Sequence, residues 1–269
     1  MNVTSLTQDL QLLENAAKQA GVLAMQWFNT SANTSPAKVW DKGGNHPVTE
    51  ADLAVDKLLN TTLRQARPKY GWLSEESKDD GSRLKSKRVF VIDPIDGTRA
   101  FIKGKPHFSI SLAIVENGRP IAGAVYNPAL DEMYLAATGQ GASANGKAIN
   151  VRDCKALLNC SMIASDGLFK QKHWRNKWPE MNCESRNSMA YRIALVAAAK
   201  FDATLTLRPK SDWDLAAADL IAEEAGAVIT DPNGQKFYYN LQSTSKSGVI
   251  CAGKTVHDLI LQQVKQRND

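Results

Sequence analysis

Val89-Phe90-Val91-Ile92-Asp93-Pro94-Ile95-Asp96-Gly97-Thr98 is the stretch on which the chain's fold and chemistry turn. Its first four residues form an uninterrupted apolar run, the pattern of a strand buried on both faces. The strand then delivers two aspartates into a corner. Proline fixes φ and carries no N–H, so Pro94 makes a rigid turn from which Asp93 and Asp96 can face one point, with the Ile95 carbonyl beside them. Gly97 permits close backbone approach, and the free N–H groups of Gly97 and Thr98 would cradle a phosphate. Taken alone, the hexapeptide is equally well a tight surface turn.

Two more acidic groups share this placement. Glu75-Glu76 follows a short strand, Tyr70 to Leu73, and Asp214 follows Trp213. Carboxylates rarely end buried elements unless something positive holds them. If Glu75, Asp93, Asp96 and Asp214 converge, each pair about 4 Å apart costs about 1 kcal/mol in water and about 4 kcal/mol at an effective dielectric of 20. Such a cluster needs cations. All-oxygen donors without His or Cys select a hard ion, so Mg2+ is expected, with Mn2+ as a substitute. The acids do not follow the alternate spacing of an EF-hand loop.

Upstream, Leu6, Leu10, Leu13, Ala17, Ala20 and Ala24 repeat at three and four, and Ser5 with Gln8 forms a capping box, which predicts an amphipathic helix. Asp9, Glu14 and Lys18 interrupt any apolar targeting core, so a cytoplasmic location is expected. After a polar connector, Asn29 to Pro36, Thr49 caps a second helix with Asp52 three residues on and Ala51, Val55, Leu58 and Thr62 on one face. Lys78 to Arg88 reads as a solvated loop. Downstream, Phe108, Ile110, Leu112 and Ile114 alternate with small residues, Asn117-Gly118 turns into Ile121 to Tyr126, Glu132 to Ala137 continues the meander, and Asn145-Gly146 closes another hairpin.

Past about Val151 strands and helices alternate: strands at Ser161 to Ala164, Ala203 to Leu207, Ala227 to Thr230 and Val249 to Ala252, helices at Met189 to Lys200, Asp214 to Ala225 and from Thr255. Two halves follow. Residues 1–150 form an α+β unit with an antiparallel sheet and most of the acids, and 151–269 form an α/β unit that supplies Asp214 and substrate contacts.

Composition agrees. With 269 residues, 43% hydrophobic and 23% charged, the chain is ordinary globular protein, neither disordered nor fibrous. No stretch approaches eighteen apolar residues, so no membrane partner is expected. A net charge of +5 fits a small anionic substrate better than a nucleic-acid polymer. Cys154, Cys160, Cys183 and Cys251 have no zinc spacing and read as reduced core thiols. His46, His107, His173 and His257 are scattered, and Lys42 is a weak candidate for the site entrance. Lys170 to Trp178 interleaves cations with Trp174 and Trp178, a pattern that is either a solvated helix or lid or, with Arg83 to Arg88, a grip for RNA.

Glu75-Glu76, Val91 to Thr98 and Trp213-Asp214, in this order, resemble the inositol monophosphatase family of magnesium-dependent, lithium-sensitive phosphatases. The likeness runs over nearly the whole chain, including Val48 to Asp52 and Glu224 to Ala227. It implies an α/β fold, a layered αβαβα sandwich with an α+β N-terminal half, and a homodimer. It also implies that Glu75, Asp93 and the Ile95 carbonyl hold one Mg2+, that Asp93, Asp96 and Asp214 hold a second, and that Glu75 with Asp52 helps a third. Thr98, paired with Glu75, would orient and deprotonate the attacking water, while Asp96, Gly97, Thr98 and Asp214 face the substrate. Two features depart from the family pattern. Ala217-Ala218 stands where Ala-Gly is common, and Leu207 stands where inositol-hydrolysing members place an acid. Arg208 and Lys210 beside it suit a second phosphate, and the chain looks most like bacterial 3'(2'),5'-bisphosphate nucleotidases. That favours 3'-phosphoadenosine 5'-phosphate, then inositol 1-phosphate, then histidinol phosphate, sugar phosphates or fructose 1,6-bisphosphate.

Overall fold

The computed structural model describes residues 3–30, 35–41, 43, 47–165 and 167–268. Lys42 and His46 lie outside them. The elements in chain order are α1 (Val3–Ala24), β1 (Val39–Asp41), β2 (Pro47–Thr49), α2 (Glu50–Ala66), β3 (Gly71–Ser74), β4 (Arg88–Asp96), α3 (Thr98–Ile102), β5 (Ser109–Glu116), β6 (Arg119–Asn127), β7 (Glu132–Ala137), β8 (Ala142–Ala144) and β9 (Lys147–Ile149). They continue with β10 (Ser161–Ile163), β11 (Asn182–Glu184), α4 (Met189–Ala197), β12 (Ala203–Thr206), β13 (Lys210–Ser211), α5 (Asp212–Glu224), β14 (Val228–Thr230), β15 (Ser245–Lys246), β16 (Val249–Ala252) and α6 (Lys254–Val264).

Strands β3 to β9 form a seven-stranded sheet in sequence order, antiparallel except for the β3–β4 pair. A five-stranded sheet runs β11-β10-β12-β16-β14, with β10 parallel to both its neighbours. Helices α1 and α2 cover one face of the larger sheet, α4 and α5 lie between the two sheets, and α6 covers the far face of the smaller one. The result is the expected αβαβα stack. One core lies under α1 and α2, another fills the space around α4 and α5, and a third lies under α6.

Layering explains why the alternation in β5 does not mark a wet face. All eight residues of β5 are buried, because helices cover both sides of the sheet. Close packing also explains Gly123, where an added Cβ would stand 2.8 Å from the Ala217 carbonyl, so α5 lies directly on β6. Asn117-Gly118 and Asn145-Gly146 have positive φ at both residues, as the two hairpins require.

Several local expectations are corrected. The first helix begins at Val3, so Ser5 sits inside it and does not cap it. On α2 the buried face is Ala51, Asp52, Val55, Asp56, Leu59 and Leu63, with Leu58 and Thr62 at its margin. The segment before Arg88 is not a solvated loop throughout: Arg83 is 1% exposed and bonded to Asp79, Asn240 and the Leu241 carbonyl. In Lys170 to Trp178 a short turn replaces the helix, and Trp174 and Trp178 pack on each other in the core with ring centroids 5.1 Å apart. Neither tryptophan is open to stack on a base, and Arg83 is bonded inside the protein. Cys160 and Cys251 are core thiols, but Cys154 is half-buried and Cys183 exposed.

Candidate active site

Strand β4 breaks its register between Asp93 and Asp96, where Pro94 leaves the ladder without a donor. Asp93 Oδ1 accepts the Ile95 N–H at 3.1 Å, which fixes the turn from within. Asp93 and Asp96 pair with Ser111 and Ser109 of β5, and these serines bring in the distant half of the chain. Ser111 Oγ donates to the Trp213 carbonyl at 3.1 Å, which sets the start of α5 beside Asp93. Ser109 Oγ lies 3.0 Å from Ser188 Oγ, the N-cap of α4. Ser188 Oγ and the Ala190 N–H each donate to Asp96 Oδ2 at 2.7 Å.

Asp52 and Asp214 reach the site by one device. Each is the third residue of its helix and closes a capping box, with Thr49 and with Ser211. Asp214 Oδ2 accepts the Ser211 N–H at 2.7 Å, and Asp52 Oδ2 accepts the Thr49 N–H at 2.8 Å. Asp52 Oδ1 faces the Thr98 hydroxyl at 3.3 Å. The expected pairing of Thr98 with Glu75 is therefore corrected: the hydroxyl lies between Asp52 and the Ile95 carbonyl, 3.2 Å away.

A cavity of about 290 Å3 gathers Glu75, Asp93, Asp96 and Asp214 on its wall. Gly97, Thr98, Arg208 and Lys210 line it too. Asp52 and Ile95 stand behind Thr98 and are buried. Gly97 has φ of +97°, and a Cβ there would meet the His107 carbonyl at 2.9 Å, so only glycine fits this corner. Lys210 Nζ stands 3.9 Å from Asp214 Oδ2, turned to the acids.

Electrostatics make the cluster incomplete by itself. Burial first, then the charges of Glu75, Asp96, Asp214 and Asp52, push the Asp93 carboxyl well above the usual carboxylate range. Burial and Asp214 push Asp96 up to about 7, against the opposing bonds from Ser188 and Ala190 and the charge of Lys210. Asp93 Oδ2 is buried without a hydrogen-bond partner, and oxygens of Asp93, Asp96 and Asp214 lie within 4.8 Å of one another. An orphaned carboxylate oxygen in an all-oxygen ring fits a hard divalent cation. Cys154, Cys160 and Asp202 meet at the same spacing but do not fit one. Asp202 is already bonded to Arg152, Cys154 and Ser161, and burial raises both thiols, Cys160 to about 12.

Sequence reasoning missed three residues. Asp56, one turn beyond Asp52, accepts Ser74 Oγ at 2.5 Å and Ser77 Oγ at 2.7 Å and so braces the loop that carries Glu75. Ser188 holds Asp96. Arg192 lines the cavity with its Nε buried and unpartnered. A lone arginine in the otherwise apolar stretch Met189–Ala197 was the available signal.

The chain has similar proteins among those already known. Inositol monophosphatase 2 of Solanum lycopersicum is 30% identical over 82% of this chain and 86% of its own length. A Thermotoga maritima protein named fructose-1,6-bisphosphatase/inositol-1-monophosphatase is 35% identical over 81% of this chain and 82% of its own. The crystal structure of the extragenic suppressor protein suhB from Bartonella henselae superposes with a TM-score of 0.81 at 26% identity, covering 96% of this chain and 99% of that one. The model of the inositol monophosphatase family matches residues 5–269, and with the fold and the acid cluster already in place, the chain belongs to that family of phosphatases.

Proposed function

We propose that this cavity hydrolyses phosphate monoesters with bound Mg2+, and that its preferred substrate carries a second phosphate, with 3'-phosphoadenosine 5'-phosphate, cleaved to AMP and phosphate, as the first candidate. The observation that carries the choice is that Arg192 and Arg208 line the cavity that holds the four carboxylates, in addition to Lys210, which faces Asp214. Cations beyond those that pair with the acids suit an ester with more than one anionic group.

Glu75, Asp93, Asp96 and Asp214 would hold the ions, with Asp52 and the Ile95 carbonyl behind them. When bound, the ions lower the pKa of water and neutralise charge on the transferring phosphoryl group. Thr98, its hydroxyl set against Asp52, orients the attacking water and moves its proton toward that carboxylate. The N–H groups of Gly97 and Thr98 receive the phosphoryl oxygens. In the same reading the chain is a homodimer, which light scattering checks.

The names of the relatives favour a second reading, inositol 1-phosphate as substrate. Phosphate release from 3'-phosphoadenosine 5'-phosphate, fructose 1,6-bisphosphate, inositol 1-phosphate and histidinol phosphate, with and without Mg2+, separates the two by kcat/KM. A preference for inositol 1-phosphate overturns the first reading. No Mg2+-dependent release from any of the four overturns both.

A further inference from the structure

Next to the acid-lined cavity lies a second hollow of about 360 Å3, which shares Ser165, Thr206 and Arg208 with it. Lys170, Lys172, His173 and Arg267 line it beside Leu168, Trp174 and Leu207, and no carboxylate among the described residues does. Lys170, Lys172, Arg208 and Arg267 carry no ion pair among the described residues. Lys210 differs from them, because it faces Asp214 at 3.9 Å and so serves the acid cluster. Four cations around one concavity, none ion-paired among the described residues, create a field that attracts a compact polyanion.

The wall is fixed in place. Trp174 is 1% exposed, and its Nε1 donates to the Leu168 carbonyl at 2.7 Å. The turn after α6 holds the same segment from the other side: Trp174 bridges to Arg267, Arg175 N–H donates to the Gln266 carbonyl at 2.8 Å, and Asn268 N–H donates to the His173 carbonyl at 3.0 Å. The lysines therefore project from an anchored backbone, which lowers the entropy cost of closing on an anion.

We propose that this hollow is the subsite for the remaining phosphate of a bisphosphorylated substrate. The scissile phosphate sits at the acid cluster, the leaving group passes Arg208, and its second phosphate rests among Lys170, Lys172 and Arg267. This placement rests on the phosphomonoesterase reading above and deepens it, since it names the feature that selects a bisphosphate over a monophosphate.

The test uses the full chain with Lys170→Ala/Lys172→Ala and, separately, Arg267→Ala, three exposed positions. The ratio of kcat/KM for 3'-phosphoadenosine 5'-phosphate or fructose 1,6-bisphosphate to that for inositol 1-phosphate falls about tenfold or more in the double variant, through KM. Lys147→Ala, an exposed lysine on β9, leaves the ratio unchanged. Calorimetric titration with 3'-phosphoadenosine 5'-phosphate in EDTA, where no turnover occurs, shows the same loss of affinity. A ratio and an affinity that stay at the wild-type values overturn the subsite. Absence of phosphate release by the wild type overturns the phosphatase reading instead, and the EDTA titration still decides the subsite.

Discussion

Asp96 and Asp202 are both buried aspartates that accept a serine hydroxyl and a backbone N–H, yet their charges behave oppositely. Asp202 receives the Ser161 N–H at 2.8 Å, the Ser161 hydroxyl at 2.7 Å and Arg152 Nε at 2.6 Å. Burial pushes it up, but the bonds from Cys154, Ser161 and Arg152 outweigh that and hold it at about 2. Asp96 has equally short bonds, but its strongest charged neighbour is Asp214, and it stands at about 7. The Asp202 contact is finished, because a guanidinium and a thiol add their bonds to those of the serine and the backbone. The Asp96 contact is unfinished, because its two bonds face complete burial and the charge of Asp214. Unfinished electrostatics in a cavity mark a place built for something else.

The comparison breaks most visibly at the acids themselves. Asp93→Asn or Asp214→Asn lowers phosphate release about a thousandfold or more. The metal-free melting temperature at pH 8 holds or rises, because repulsion is relieved. A melting temperature lower by many degrees would show that these carboxylates are structural after all. Thr98→Ala lowers kcat about a hundred- to a thousandfold while half-activating Mg2+ stays fixed; a parallel shift in metal dependence would make Thr98 a ligand in place of a water-orienting group.

Asp202→Ala, on the finished side, costs about 3 kcal/mol in a denaturant titration and leaves the kcat of the remaining folded enzyme intact. The pH dependences sharpen the contrast. Asp202, held low, contributes stability above its ordinary value near 3.8 that disappears as pH falls through about 2. Asp96, held high, contributes stability fully present below 3.8 that is lost in metal-free protein as pH rises through about 7. Denaturant titrations from pH 4 to 8 show a shallower second slope in Asp96→Asn than in the wild type, the remainder coming from Asp93 and Asp219, which burial also holds above the usual carboxylate range. The smallest effect is at Asp56→Asn, which loosens the Ser74–Ser77 loop around Glu75: half-activating Mg2+ rises about tenfold and saturating metal restores most of kcat.

Much of this was legible beforehand because it is written in local chemistry. The Pro94 corner, the Thr49–Asp52 cap, the two Asn-Gly hairpins and the buried run before Asp93 follow from φ restriction, capping and periodicity. The Asp52–Thr98 contact was not legible, since it joins residues 46 positions apart that only the docking of α2 against the end of β4 brings together. The same holds for Arg83 and Trp174: charge and aromatic character put them on the surface in a sequence, and partners far along the chain put them inside. The roles of Ser109 and Ser111 were also hidden, because a small residue alternating in a strand carries no sign of the helix it anchors.

The amino-acid order alone fixed which residue types exist to make a metal-dependent phosphatase, and where the chain must turn to aim them, because turns, caps and strand patterns are set by near neighbours. Which oxygens meet at the acid cluster was decided only when α2, α4 and α5 packed on the larger sheet. Coulomb energies depend on distance in space, and distance along the chain does not determine it.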